Sequence, residues 1–181
     1  MPPLPKAIID ELVEYSIERF NGAEEFKESY NDDDDGAKVS FYPVPPHLYD
    51  KIQKILRQFP ATKNHRHFFV QLVHSGTEVP LHIDAIDQRS NGINFILKDG
   101  GPDITTSWWE VKKEFKSTKF SDATPLDHNM FNEVESHVLK EGCWYDMTFS
   151  QVHSLSNLKD LRLALAVMFD DVREREPIEV N

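Results

Sequence analysis

Two histidines and an aspartate have the side chains and the spacing of a metal site. His82 and Asp84 stand one residue apart in "PLHIDAID". In an extended segment, residues i and i+2 point to the same face, so both side chains can reach one atom above the strand. His153 lies much later, near the end of another β-type run. Two histidines and one carboxylate match the facial triad that holds non-haem Fe(II) and leaves positions open for substrate and dioxygen.

Other interpretations of these residues stay open at this point. An H-x-D tripeptide by itself is more often a polar pair near a turn than a metal-binding edge. Histidine and aspartate also suit zinc. A soft thiolate site is excluded, because Cys143 is the only cysteine in the sequence.

Arg162 lies in a run, 161–169, that is apolar on both faces of a strand. The other residues of its own face are small or apolar, namely Ala164, Ala166 and Met168. A strand of this kind is usually buried on both faces, so the guanidinium is expected in an enclosed space and needs an anion. Either Asp146 or Asp160 supplies a structural carboxylate, or the planar fork binds the carboxylate of a ligand.

The elements that must position these residues are two helices followed by strands. Apolar residues at helical spacing predict a helix from Pro5 to Phe20 and a second one after "PVPP", which ends at Pro60. From His67 onward, runs rich in β-branched and aromatic residues alternate with turn signals. We predict that the helices cover one side of a sheet whose strands include "HFFVQLV", "INFILK", "TTSWWEV", "CWYDMTF" and "LRLALAVMF".

Taken together, these segments resemble the Fe(II)/2-oxoglutarate-dependent oxygenases. The similarity lies in H-x-D at 82–84, the distal His153, and Arg162 nine positions later. More narrowly, "QLVHSGTEVPLHID", "INFILKDGGPDITTSWWE" and "VHSLSNLKDLRLAL" are similar to the aspartyl/asparaginyl β-hydroxylase-like branch. The resemblance runs from about Phe68 to Phe169. It implies a mainly β fold, the double-stranded β-helix or jelly-roll, with helices packed on one face.

The resemblance also implies roles for six residues. His82, Asp84 and His153 would bind iron, and Arg162 would hold the distal carboxylate of 2-oxoglutarate. Gln71, eleven residues before His82, is a further polar contact to that carboxylate. Asn94 is expected on the same side of its strand as Ile96 and Lys98, where it meets the co-substrate or the substrate. Some members of the narrow branch lack the carboxylate ligand, and Asp84 places this chain with the general hydroxylase pattern instead.

Composition and charge limit the possible partners. The formal charge of −11 over 181 residues argues against general nucleic-acid binding, which depends on clustered Lys and Arg. No apolar run approaches the ~20 residues of a membrane helix, and the N-terminal residues lack the features of a secretory signal. We therefore expect a cytoplasmic protein without a membrane partner. Residues 1–181 are expected to form one domain, with a helical part at 1–60 and a jelly-roll core at about 65–170.

The sequence thus predicts an Fe(II)- and 2-oxoglutarate-dependent dioxygenase. It would hydroxylate an amino acid, a peptide side chain or a small metabolite, using dioxygen. Hydroxylation is favoured because a carboxylate ligand leaves no vacancy for a halide. The alternatives are a cupin-like metal enzyme that does not use 2-oxoglutarate, in which Arg162 has no assigned role, and a non-catalytic jelly-roll binding module.

Overall fold

The computed structural model describes residues 1–22, 39–59, 65–76, 78–83, 91–116, 126–148 and 151–169. Both predicted helices are present, as α1 at Lys6–Gly22 and α2 at Pro46–Leu56. Proline is favoured in the first turn because its missing N–H would have no partner there. Helix α2 ends at Leu56 and not at Pro60 as predicted, so Phe59 lies beyond the helix. The part of the chain described contains no helix long and apolar enough to cross a membrane.

Nine strands are found among the described residues, and they form two antiparallel sheets. One sheet has the order β1-β2-β9-β4-β7 and the other the order β3-β8-β5-β6. From β2 onward the chain alternates between the two sheets, except that β5 and β6 are neighbours in the four-stranded sheet. This is the topology of a double-stranded β-helix, as predicted. The strands are β1 Val39–Pro43, β2 His65–Val73, β3 Val79–His82, β4 Asn91–Asp99, β5 Thr105–Val111, β6 Phe131–His137, β7 Trp144–Thr148, β8 Val152–Ser156 and β9 Arg162–Phe169.

The two helices cover the outer face of the five-stranded sheet, as the amphipathic patterns predict. The buried face of α1 and α2 packs against alternate residues of β2, β4 and β9 in one apolar core. Burying this face removes apolar surface from water, which is the main stabilising contribution to folding. The core includes Ile8, Leu12, Leu48, Ile52, Leu56, Phe68, Val70, Leu72, Ile93, Phe95, Leu163, Leu165 and Val167.

The opposite face of the five-stranded sheet points into the jelly-roll. Ala164 and Ile96 from this sheet pack with Trp108 from the four-stranded sheet, so the two inner faces meet. Strand β9 is buried on both faces over most of its length. Leu163, the next residue along β9, has its side chain in the outer core. Because successive side chains of a strand point to opposite faces, the side chain of Arg162 points into this interior.

A β-bulge in β4 changes which residues face Arg162. The register shifts between Ile96 and Lys98, so that Lys98 pairs with Leu163 and Asp99 pairs with Arg162. A bulge places two residues opposite one and reverses the alternation beyond it. The expectation that Lys98 shares a face with Asn94 and Ile96 is therefore wrong.

The turn after β4 is tied to the loop that precedes β9. The backbone oxygen of Gly100 accepts hydrogen bonds from the amides of Lys159 and Asp160, at 3.1 and 2.8 Å. Gly100 has φ +88°, and a Cβ added there would lie 2.3 Å from Leu158 Cδ1 and 3.0 Å from Arg162 Cβ. Position 100 therefore requires glycine, because its φ is positive and because β9 approaches it closely.

Gly100→Ala is expected to destabilise the fold by about 2–3 kcal/mol, from a positive φ and from overpacking. Gly142→Ala is the matched control, because Gly142 has φ +75° with nothing within 4 Å of an added Cβ. It should cost only about 1 kcal/mol. Denaturant unfolding measures the free energy of unfolding of both variants. Equal decreases in this free energy would contradict the close approach of Gly100 to Arg162.

Candidate active site

The fold places His82 and His153 side by side. His82 ends β3 and pairs directly with His153 of β8, so both side chains leave the same face of the four-stranded sheet. Their ring centroids lie 4.3 Å apart, at an interplanar angle of 55°. Two imidazoles from adjacent strands are therefore close enough to share one metal ion, although they lie far apart in the sequence.

Backbone hydrogen bonds determine which nitrogen of each ring can bind a metal. His82 Nδ1 lies 2.8 Å from the oxygen of Pro80, and His153 Nδ1 lies 2.9 Å from the oxygen of Gln151. A carbonyl oxygen only accepts, so each Nδ1 carries the hydrogen and donates it, which leaves the lone pair on Nε2. Metal-binding histidines are typically oriented by a hydrogen bond of this kind. Both rings thus have the tautomer that a metal ligand requires.

Asp84, the third predicted ligand, lies outside the described residues, and Ile83 is the last described residue before it. Within the described ranges, no three His, Cys, Asp or Glu side chains are grouped to hold a metal. The structure therefore brings together the two histidines, and the assignment of Asp84 stays a prediction.

Arg162 is buried at the start of β9. It is flanked by Val73 of β2 and Asp99 of β4, and its side chain is only 6% exposed. Its Nη1 atom has no hydrogen-bond partner among the described residues. A buried charged donor without a partner is costly, so this position favours an anion that the described part of the chain does not supply.

The electrostatic surroundings of Arg162 lead to the same inference. Burial lowers its pKa from the usual arginine value to about 10, and electrostatic interactions with Asp99 and Tyr145 oppose this only in part. The carboxylate of Asp99 accepts the amide hydrogen of Gly101, at 3.1 Å. Ion pairs between described residues do not include Arg162. Its guanidinium thus stays charged at neutral pH without a paired carboxylate from the described residues.

The two structural partners proposed from the sequence do not compensate Arg162. Asp146 and Asp160 are both exposed. Asp146 pairs with Ile93, a residue of the outer core, and so belongs to the opposite face of the sheet from Arg162. Among the described carboxylates, Asp99 is the one whose charge raises the pKa of Arg162, and the bulge in β4 places it opposite that residue.

Gln71 and Asn94 lie on the inner face of the same sheet, on either side of β9. Gln71 pairs with Ala164, and Asn94 pairs with Ala166. Gln71 is half-buried, whereas Asn94 is 4% exposed and its Oδ1 has no hydrogen-bond partner within the described ranges. Ala164 and Ala166, which lie between them on β9, have no polar side-chain atoms. Both amides therefore lie beside the same pair of small residues.

Sequence analysis did not identify Thr106 as a site residue. Thr106 is 3% exposed on β5, and no described residue forms a hydrogen bond with its Oγ1. It shares the parity of Trp108, which pairs with His153, so both side chains point inward. With Asn94 and Arg162, the described chain has three buried side chains with an unsatisfied polar atom, and all three face the interior. Since such atoms are rare in folded proteins, this interior is suited to a polar ligand.

Comparisons with known proteins give matches among solved structures only. No family model and no curated protein sequence matches the chain. A prolyl-4-hydroxylase from Pseudomonas putida is 15% identical with a TM-score of 0.57, covering 92% of this chain and 88% of its own. HygX from Streptomyces hygroscopicus, with nickel, 2-oxoglutarate and hygromycin B bound, is 12% identical with a TM-score of 0.52, covering 94% and 81%.

A third structure has a different reaction on the same fold. SnoN, a non-heme alpha-ketoglutarate-dependent epimerase from nogalamycin biosynthesis, is 13% identical with a TM-score of 0.59, covering 93% of this chain and 76% of its own. At such identities the likeness establishes architecture and not activity. The chain therefore has the jelly-roll fold found in these 2-oxoglutarate-dependent enzymes.

Proposed function

We propose that this protein is an Fe(II)- and 2-oxoglutarate-dependent oxygenase. The observation that carries the proposal is the buried Nη1 of Arg162, which has no hydrogen-bond partner among the described residues and whose strand contributes to the same interior as the histidine pair. An isolated metal site would not need a buried cation, whereas a dicarboxylic co-substrate does. The presence of nickel and 2-oxoglutarate in HygX, which shares the fold, supports this assignment.

The residues of the chain fit the two groups that the proposal requires. His82 and His153 present Nε2 lone pairs, and Asp84 completes the facial triad. Arg162 holds the distal carboxylate of 2-oxoglutarate, with Gln71 and Asn94 as further polar contacts. When bound, Fe(II) would activate dioxygen as the oxidant, with one oxygen atom entering a substrate C–H bond and the other oxidising 2-oxoglutarate to succinate and carbon dioxide.

The protein's own contribution is orientation and the exclusion of water. The Nδ1–H bonds to the Pro80 and Gln151 oxygens hold the imidazole planes before any ligand arrives. Trp108 is buried next to His153 and packs with Ile96 and Ala164, which closes the interior on that side. A dry interior also strengthens the attraction between Arg162 and a carboxylate.

For the reaction, hydroxylation of an amino acid, a peptide side chain or a small metabolite is the proposed outcome. Asp84 supports it, because a carboxylate in the triad leaves no vacancy for a halide. The narrower similarity to the aspartyl/asparaginyl β-hydroxylase-like branch and the cytoplasmic location stay predictions. The single domain proposed for residues 1–181 agrees with the shared apolar core of helices and sheet.

Anaerobic titration with Fe(II), with and without 2-oxoglutarate, tests the proposal. Wild-type protein should develop the visible charge-transfer band of the iron chelate only when both are present. Arg162→Met should still bind iron but should require far more 2-oxoglutarate to develop the band. Iron binding without any band at saturating 2-oxoglutarate would favour a cupin-like metal enzyme, and absence of iron binding would favour a binding module.

A further inference from the structure

The interior of the jelly-roll opens toward the end of β5. Along the inner face of this strand, Thr106 and Trp108 are buried, whereas Glu110 is exposed. Trp108 pairs directly with His153, a member of the histidine pair. The proposed metal site therefore lies near this open end, and a substrate approaches it from the side of Glu110.

Two carboxylates lie on the inner face beside the histidine pair. Glu135 of β6 pairs directly with Trp108, so its side chain leaves the same face as that of His153. Glu110 lies two residues beyond Trp108 on β5 and shares its face. Neighbouring strands lie about 4.8 Å apart, which puts the backbone of Glu135, two strands away, about 10 Å from that of His153. Negative charge thus lies within reach of a substrate bound beside the histidines.

Contacts on β6 hold the carboxylate of Glu135 close to Trp108. His137 Nε2 donates a hydrogen bond to Glu135 Oε1. The ring of His137 also packs edge-on against Trp108, with the ring centroids 5.8 Å apart. His137 pairs with Thr106, so it belongs to the same inner face. These contacts use one carboxylate oxygen, and no described residue donates to the second, Oε2.

The described residues do not neutralise Glu110 and Glu135 with a lysine or an arginine. Lys112, which follows β5, donates its Nζ hydrogen to the backbone oxygen of Asn129 at 2.7 Å. The facing sheet brings no positive charge to the open end among its described inward residues, which there are Asn94, Tyr145, Met147, Ala166 and Met168.

Asn94 provides a third acceptor, on the opposite wall of the interior. Its side chain is buried, and its Oδ1 has no hydrogen-bond partner among the described residues. The neighbours Ile96 and Tyr145 pack with Trp108, so Asn94 faces Trp108 across the interior. The oxygens of ionised 2-oxoglutarate only accept hydrogen bonds, so the co-substrate cannot satisfy Oδ1. A donor on the substrate can, and buried polar atoms in folded proteins generally have such a partner.

We propose that the substrate carries a cationic group, an ammonium or a guanidinium, that binds between Glu110, Glu135 and Asn94 at the open end. The proposal rests on the proposed function and names the substrate class. Carboxylate and amide oxygens accept hydrogen bonds, whereas these cations only donate them, so the two sides match. Because Glu135 lies two strands from His153, the charge must be several bonds away from the oxidised carbon.

Two probes of similar shape test the proposal. Nα-acetyl-L-arginine amide carries a charged guanidinium, and Nα-acetyl-L-citrulline amide carries a neutral urea group. Both are titrated by anaerobic calorimetry into protein loaded with Fe(II) and 2-oxoglutarate, at low ionic strength because salt screens exposed charges. Wild-type protein should bind the arginine probe roughly tenfold or more tightly than the citrulline probe, because hydrogen bonds between charged groups are stronger.

The double variant Glu110→Gln/Glu135→Gln should bind the two probes with similar affinity. It should develop the same visible Fe(II)–2-oxoglutarate band as wild type, because neither glutamate belongs to the proposed iron or co-substrate ligands. Loss of the band in this variant would assign the glutamates to the architecture of the site and overturn the proposal.

Glu133→Gln is the matched control for the removal of one negative charge. Glu133 lies on the same strand as Glu135 but pairs with Trp109, whose side chain packs in the apolar cluster on the outer face. The preference for the arginine probe should stay at the wild-type level in Glu133→Gln and fall several-fold in Glu135→Gln. An equal decrease in both variants would show a general effect of net charge and would overturn the proposal.

Asn94→Leu tests the third acceptor at saturating 2-oxoglutarate. The arginine probe should bind several-fold more weakly, because Oδ1 is removed. The melting temperature of the metal-free variant should be equal to that of wild type or higher, since an unsatisfied buried polar atom is lost. A lowered melting temperature with unchanged affinity for the arginine probe would show a structural role of Asn94 and overturn the site as proposed.

The wild-type measurements separate this proposal from the proposed function. Protein that develops no Fe(II)–2-oxoglutarate band would refute the proposed function, and the substrate class with it. A normal band combined with equal affinity for the two probes, or with binding of neither, would refute the substrate class alone.

Discussion

Replacing either member of the histidine pair, by His82→Ala or His153→Ala, is expected to abolish stoichiometric Fe(II) binding. Each change removes one of three proposed protein ligands, so the loss of affinity should exceed the 10- to 100-fold typical of removing an outer hydrogen-bond partner. Asp84→Ala is expected to affect binding less and still to reduce turnover. Equilibrium dialysis under anaerobic conditions, followed by iron analysis of the protein, measures the stoichiometry.

His137→Ala is the matched control, because His137 is an exposed histidine on the edge strand β6. It should retain one equivalent of iron. Circular dichroism of all three histidine variants should match wild type, since the apolar cores do not include these side chains. Full iron affinity in either His82→Ala or His153→Ala would show that the pair is not the metal site.

Arg162→Met is expected to reduce the affinity for 2-oxoglutarate by at least about 30-fold while iron binding persists. Loss of a buried charge-assisted pair costs on the order of 2–5 kcal/mol. Arg162→Lys should also bind 2-oxoglutarate more weakly than wild type, because an ammonium group cannot reproduce the bidentate fork. Calorimetry with the Fe(II)-loaded protein measures both affinities.

The stability of the metal-free Arg162→Met protein provides a second, independent measurement. Burial lowers the pKa of Arg162 from its usual value to about 10, so the folded state disfavours the charged form by roughly 3 kcal/mol throughout the range below pH 10. Removing the charge relieves this cost, and lost packing of the aliphatic stem opposes the gain. We expect a melting temperature equal to wild type or higher.

The opposite pattern would assign Arg162 to a structural role. If its guanidinium stabilised the fold through Asp99, Arg162→Met would lower the melting temperature and leave the affinity for 2-oxoglutarate unchanged. Arg57→Met is a control for removing an arginine, because Arg57 is exposed at the end of α2. Neither its affinity nor its stability should change measurably.

The sequence predicted most of the fold because the relevant patterns are local. Apolar residues at helical spacing predicted α1 and α2, and alternating or continuous apolar runs predicted β2, β4, β5, β7 and β9. Strands β1 and β6 were not predicted, and β6 shows why. It is an edge strand whose residues are exposed from Asn132 to His137, so no apolar alternation marks it. Main-chain pairing with β5 alone determines its conformation.

The residue types of the candidate site were evident in the sequence, whereas their spatial relations were not. H-x-D, the distal histidine and an arginine within an apolar run are chemically unusual enough to be recognised from order and spacing. The direct pairing of His82 with His153 depends on the register between β3 and β8, which long-range contacts determine. The backbone carbonyls that select the histidine tautomer likewise become partners only through the local fold.

Tertiary structure alone decided what surrounds Arg162. Sequence alternation indicated that its guanidinium points inward, but the bulge in β4 brings Asp99 opposite it in place of Asp146 or Asp160. The same packing leaves Nη1 of Arg162 and Oγ1 of Thr106 buried, on facing sheets, with no hydrogen-bond partner in the described part of the chain. Alternation gives the direction of a side chain, whereas hydrogen bonding depends on atoms brought together from distant strands. Sequence alone thus determined the kind of chemistry to expect, and the packing of two sheets decided which polar groups remain available for a ligand.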